Sequence, residues 1–215
     1  MNFDFSVFDG FDWKIYEIFS GLHSTFMNVV AEFFTMFGDE KFVIPLGLFA
    51  VFCVFTKKLR KVGGTIILAI LFGTIMTNGI FKPLFGRVRP YIYYEDNAEF
   101  MRWYTSAGSH IESDKSFPSG HTTLAFETAT ALFLTLSKKY SWVFLLVAIG
   151  TGLSRIYLAV HYPTDVIGGV IIGIIAGVLG YFVARIILNF LEETESPLIK
   201  KVNDIDILKL FAKKN

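Results

Sequence analysis

Val166-Ile-Gly-Gly-Val-Ile-Ile-Gly-Ile-Ile-Ala-Gly-Val-Leu-Gly-Tyr-Phe-Val-Ala-Arg-Ile-Ile-Leu-Asn-Phe-Leu191 decides the fold, because only Arg185 interrupts this apolar run with a charge. A bilayer core takes about 20 helical residues at roughly 1.5 Å each. The stretch therefore reads as a membrane-spanning helix. Pro163 just ahead suits a first helical turn, and Asp165 beside it is favoured by the positive end of the helix dipole. Gly169, Gly173 and Gly177 recur every four residues, with Ala176 and Gly180 nearby. They form a small-residue ridge for close helix contact, within one bundle or between two copies.

Five more segments extend the pattern. Phe42–Phe55, Val62–Phe81 and Trp142–Val160 are the clearest; Thr122–Leu136 is shorter and carries Glu127; Trp13–Phe37 is weakest, holding Glu17, His23 and Glu32. The chain is 53% hydrophobic but only 18% charged, with 24 phenylalanines and a mean hydropathy of +0.52. A soluble domain carries about 25% charged residues. The expected fold is thus all-α: a polytopic membrane protein with six transmembrane helices. Residues 1–191 form that domain, and 192–215 form a charged cytoplasmic tail with a short amphipathic helix at Ile205–Phe211. A net charge of +1 gives no bulk field for nucleic acid, and a lone cysteine, Cys53, excludes an internal disulfide framework or a cysteine-based zinc site. The N-terminus is acidic and aromatic, with no basic n-region, so it does not read as a cleavable signal peptide. Its alternation of Phe with Asp and Ser before Trp13 suits a segment lying along the interface.

Charge orients the bundle. Lys57, Lys58, Arg60 and Lys61 crowd one short connection, Lys138 and Lys139 another, and Lys200, Lys201, Lys209, Lys213 and Lys214 lie on the tail. With six spans, all three places share a side with the N-terminus, which the positive-inside rule makes cytoplasmic. The long polar interruption at 82–121 then lies outside. Its aromatics Tyr91, Tyr93, Tyr94, Trp103 and Tyr104 suit either a lid at headgroup level or an ordinary interfacial loop.

Three blocks share that outer side: Lys82-Pro-Leu-Phe-Gly-Arg-Val-Arg89-Pro90, Pro118-Ser-Gly-His121, and Ser154-Arg155 followed by His161 and Asp165. Two histidines, a carboxylate and fixed cations at the ends of greasy segments suit phosphoryl transfer without a metal. Asp165, four residues after His161, is placed to accept a hydrogen bond from its Nδ1, leaving Nε2 to attack phosphorus. Ser119 is a good N-cap, Gly120 lets backbone approach a ligand, and helix N-terminal N–H groups cradle phosphate. His121 stands over the same place, suited to protonate a leaving oxygen. Lys82 and Arg89 sit on the side where basic residues are disfavoured, which argues against a purely topological role.

The spacing Lys-x6-Arg-Pro, Pro-Ser-Gly-His, Ser-Arg-x5-His-x3-Asp resembles the signature of the type 2 phosphatidic acid phosphatase (PAP2) superfamily, with every signature position filled. The resemblance covers roughly residues 40–190. It implies a six-helix membrane enzyme that hydrolyses lipid phosphates or pyrophosphates with no metal or other cofactor. His161 would form a phosphohistidine, Asp165 would orient it, and His121 would be the general acid. Lys82, Arg89, Ser119, Gly120 and Arg155 would bind phosphoryl oxygens. Small bacterial members resemble undecaprenyl pyrophosphate and phosphatidylglycerophosphate phosphatases. An outward-facing site favours the polyprenyl pyrophosphate, whose headgroup is left on that side.

Other substrates remain compatible, namely phosphatidic acid and diacylglycerol pyrophosphate. Two other classes share features: a vanadium-dependent haloperoxidase, which the spans disfavour, and a non-catalytic lipid-phosphate binding or transport protein, which loss of His121 or His161 would mark. Arg87, between signature positions, reads as a surface or headgroup contact. Glu127, about 240° around the helix from His121, reads as a bundle-internal polar contact facing away from the phosphate. His23 and His110 fit no metal-ligand pattern and read as structural or surface residues.

Overall fold

A computed structural model describes residues 3–197, 200–201 and 204–212. The described chain is helical, with no strand. A 3₁₀ turn at Phe5–Phe8 leads into α1 (Asp9–Ser20) and α2 (Thr25–Thr35), followed by α3 (Glu40–Val54) and α4 (Arg60–Thr74). A π-helical stretch at Ile75–Phe81 joins α4 to α5 (Lys82–Phe85); α6 (Pro90–Tyr93) and α7 (Ala98–Ser106) follow. The long elements α8 (Gly120–Thr135), α9 (Lys138–Tyr157) and α10 (Pro163–Glu193) complete the body, and α11 (Ile207–Ala212) ends the described chain.

Three stretches are long and apolar enough to cross a membrane: Arg60–Tyr93, Lys138–Tyr157 and Pro163–Glu193. α3 is apolar but shorter, and α8 has 16 residues. The expectation for Trp13–Phe37 needs correcting. It is not one helix: Gly21 caps α1 and Ser24 starts α2 by accepting from the Met27 N–H at 3.2 Å. The serine satisfies an orphan donor that a continuous helix would not have.

α10 is the axis, packed on α4 and α8. Its glycine ridge faces inward. A Cβ on Gly169 would lie 2.8 Å from the Ser119 carbonyl, and one on Gly173 2.6 Å from that of Thr123. The ridge therefore serves contact within the bundle. The opposite face of α10 exposes Ile171, Phe182, Ile186 and Phe190, as a lipid-facing surface requires.

The 82–121 stretch is a packed cap rather than a bare loop. Phe100, Trp103 and Tyr104 of α7 bury themselves with Tyr16 of α1 and Tyr157 of α9. The N-terminal segment is docked on this end of the bundle: Phe5 packs against Phe85 and Phe117 and Asp12 is fully buried, while Phe3, Val7, Phe8 and Phe11 stay exposed. At the other end, α11 begins two residues later than expected, and the Ile207 N–H donates to the Phe55 carbonyl at 3.0 Å. Lys213 and Lys214 lie outside the described residues.

Candidate active site

Local backbone chemistry places the first block. Gly86 ends α5 in the left-handed conformation (φ 57°), where a side chain is strained, and turns the chain so that Arg87 to Arg89 run toward the third block. The π-helical stretch before it widens the last turns of α4 and sets the angle at which Lys82 enters. Ser119 caps α8, with Oγ accepting from the Thr122 hydroxyl at 2.9 Å. Its own N–H donates to the Asp165 carbonyl at 3.1 Å, which fastens the second block to the third.

Lys82, Arg89, Gly120, His121 and His161 line one cavity of about 550 Å³. His161 is buried, and its two nitrogens have different neighbours. Nε2 lies 2.8 Å from Arg89 Nη1, and Nδ1 lies 3.4 Å from Asp165 Oδ2. A guanidinium only donates, so Nε2 is the acceptor and the proton sits on Nδ1, toward the carboxylate. Burial, together with Arg89, Arg155 and Lys82, holds the His161 pKa well below the ordinary histidine value, so the ring is neutral at pH 7.

Three expected residues stand behind this wall. Asp165 is fully buried; Oδ2 also accepts from Ser116 Oγ at 2.5 Å and from the Tyr162 N–H at 3.0 Å. Ser119 is buried as the helix cap. Arg155 pairs with Glu112 and donates to Thr35 Oγ1 at 2.6 Å. It reaches the cavity through Glu112, which lines it.

The cap supplies what the motifs did not announce. Asp114 pairs with both Lys82 and Arg89, as Glu112 does with Arg155. Loop carboxylates therefore engage the cations assigned to phosphate. Burial raises the Asp114 pKa, but the two cations outweigh it and hold the carboxyl below its ordinary range. Gly38 closes the cavity from the start of α3. A Cβ there would sit 2.5 Å from His121 Cβ, so no larger residue fits without moving that histidine.

A family model described as the PAP2 superfamily matches residues 63–187, more than half of the chain. The chain belongs to the PAP2 superfamily. Among its PAP2 relatives, the undecaprenyl-diphosphatase BcrC of Bacillus subtilis is 27% identical over 92% of this chain and 96% of that protein. Phosphatidylglycerophosphatase B of the same organism is 31% identical over 72% and 73%. The crystal structure of Aquifex aeolicus LpxE superposes with a TM-score of 0.64 at 28% identity, covering 78% of this chain and 93% of that one. This PAP2 protein is accordingly a membrane phosphatase whose relatives act on lipids.

Two sequence expectations about this PAP2 site fail. Arg87 is not a surface contact but is 6% exposed. Nη1 lies 2.7 Å from Asp165 Oδ1 and Nη2 2.8 Å from Asp12 Oδ2, while the guanidinium stacks 3.6 Å above the Tyr162 ring. Asp12 in turn accepts from the Thr164 N–H at 2.9 Å and its hydroxyl at 2.8 Å, and Tyr16 donates to the His161 carbonyl at 2.9 Å. Glu127 does not face away from the site but lines the same cavity. The cavity follows the seam between α4 and α8, where Thr123 and Glu127 share a helix face four residues apart. His110 also lines it, paired with Glu32 at 2.7 Å, while His23 stacks on Tyr157 at 4.5 Å.

Proposed function

We propose that this protein hydrolyses the phosphate or pyrophosphate headgroup of a membrane lipid through a phosphohistidine. The observation that carries the reading is the buried His161, with Nε2 facing Arg89 and Nδ1 facing Asp165. In the first step Nε2 attacks phosphorus, the bond to the leaving oxygen breaks, and that oxygen takes a proton from His121. Burial and the cations hold the His121 pKa well below its ordinary value, so His121 binds this proton once the anionic phosphate offsets those cations. In the second, water attacks phosphorus, losing a proton to His121 as the P–N bond breaks, and inorganic phosphate leaves. Lys82 and Arg89 neutralise the phosphoryl oxygens, joined by the Gly120 backbone; Arg155 and Ser119 act from behind.

The charge is fixed by side chains, and no trio of His, Cys, Asp or Glu among the described residues is grouped to hold a metal. In this reading turnover needs no metal ion, because Lys82 and Arg89 supply the charge a metal would bring. The topology proposed with it has five spans, α3, α4, α8, α9 and α10. The expected first span, Trp13–Phe37, does not cross, because Asp12 meets Arg87 beside Asp165 near one end and Thr35 meets Arg155 near the other, both on the active-site side. The cap then lies outside and the tail in the cytoplasm, supported by the basic connections at 57–61 and 138–139. The N-terminal segment, expected in the cytoplasm, shares the outer side through Phe5 against Phe85 and Phe117.

Two substrates are compatible with this chemistry, undecaprenyl pyrophosphate and phosphatidylglycerophosphate, each named in a relative. The test is phosphate release by purified protein in detergent with excess EDTA, over a panel that includes both. We expect release to persist in EDTA. His161→Ala should abolish it and leave no trapped phosphoenzyme. His121→Ala should be severe on a monoester and milder on a pyrophosphate, whose leaving phosphate needs less protonation. Loss in EDTA restored by Mg²⁺, or equal His121→Ala losses on both substrates, would overturn the mechanism.

A further inference from the structure

The cavity is larger than a phosphoryl group needs, and its two halves differ. The outer half holds Lys82, Arg89 and the two histidines. The inner half runs along the seam of α4 and α8 into the apolar body, and beside Ile70 and Leu124 its wall carries a polar line: Thr74, Thr77, Asn78 and Thr123 lead to Glu127. Lys82 Nζ lies 3.6 Å from where a Cβ on Gly120 would stand. Glu127 is seven residues further along α8, about 10 Å at the helical rise.

Glu127 is 2% exposed, and its Oε2 has no hydrogen-bond partner. A Cβ on Gly73 would overlap that carboxyl, so the space for it is made by a glycine on the opposite helix. An unpartnered carboxyl at this depth is expensive, and by default it marks a functional site. We propose that the inner half of the cavity is a second subsite. It takes an uncharged, hydroxyl-bearing segment of the lipid headgroup, a glycerol or sugar between the scissile phosphate and the acyl chains, with Glu127 as its deepest hydrogen-bonding group.

The charges select that chemistry. A carboxyl repels a second phosphate at the inner end, and the cations of the outer end disfavour an amine. A hydroxyl suits a carboxyl in either protonation state, donating to a carboxylate or accepting from an acid. The span of about 10 Å fits a linker of glycerol or sugar size. A bare isoprenoid chain would instead place methylenes against Thr77, Asn78 and Glu127. The inference rests on the phosphatase reading above and, within it, turns the preference from the polyprenyl pyrophosphate toward a hydroxylated linker.

The experiment compares wild type, Glu127→Leu and Glu127→Gln on an acylated sugar phosphate, whose sugar carries hydroxyls and no second phosphate, and on phosphatidic acid, which has no hydroxyl. For Glu127→Leu the ratio of kcat/KM values should fall about tenfold or more, through KM for the hydroxylated lipid. Glu127→Gln, which keeps a hydrogen-bonding end, should stay within about threefold of wild type. Glu127→Leu should melt no lower than wild type, since it removes an unpaired buried group. Equal losses on both lipids, or none on either, would overturn the proposal. A binding arm does not depend on turnover: by calorimetry in detergent, wild type should bind glycerol phosphate about tenfold tighter than ethyl phosphate, and Glu127→Leu should not. No difference in wild type would overturn the subsite even if lipids are hydrolysed. A difference in wild type without hydrolysis of any lipid would leave the subsite standing and sink the phosphatase reading.

Discussion

Arg87 holds two carboxylates from opposite ends of the chain, Asp12 and Asp165, between the rings of Phe5 and Tyr162. It touches no cavity atom of His161, so its effect on chemistry passes through Asp165. A buried carboxylate that loses its cation is left uncompensated. Arg87→Ala should therefore lower kcat by about 100-fold or more with KM within about threefold, and Arg87→Lys should recover part of it. If Asp12 acts only through Arg87, the double variant Asp12→Ala/Arg87→Ala should be no slower than Arg87→Ala, which steady-state kinetics will show. A rise in KM with kcat intact would make Arg87 a phosphate ligand instead. His161 gives a second residue-scale expectation. Its folded pKa lies below the ordinary value of about 6.5. As pH falls through that ordinary value, the unfolded chain takes up the proton first and the folded state loses relative stability. That loss continues until the folded pKa is passed. Melting between pH 7.5 and 5.5 should therefore fall more steeply for wild type than for His161→Asn; parallel curves would contradict a neutral buried ring.

At the scale of elements, the connection from α7 to α8 places Asp114 on Lys82 and Arg89. Under the proposed function these are the donors a phosphate would take over, so Asp114 would compete with substrate. Because its pKa is held low, the carboxylate stays ionised throughout the neutral range. Asp114→Asn should therefore lower the Ki of inorganic phosphate severalfold, read from product inhibition, and a higher Ki would show Asp114 to be an organiser of the cations. How far such elements could be read in advance depended on distance along the chain. α10 and the spacing of His161 and Asp165 were legible because a long apolar run and a four-residue interval are local signals. The role of Arg87 was not, since its partner Asp12 lies 75 residues away. The angular argument for Glu127 failed because it described one helix alone, whereas the cavity lies between two. The break at Gly21–Ser24 carried a legible cue, a glycine followed by a capping serine, which the apolar run on either side outweighed.

For the whole molecule, the proposed sidedness sets which leaflet presents the substrate. Ser109 is exposed on the cap, while Cys53 is buried and chemically quiet. A cysteine at Ser109 in a Cys53→Ala background should react with a membrane-impermeant maleimide in intact cells. Labelling only after the membrane is opened would put the cap in the cytoplasm and reverse the topology.

The tie between Asp12 and the 161–165 turn has a consequence for biogenesis. Asp165 is made more than 150 residues after Asp12. At about 5–20 residues per second that interval is roughly 8–30 seconds. A partly made chain holds the strut but not the histidine beside it, so this tie closes only once residues 161–165 are made.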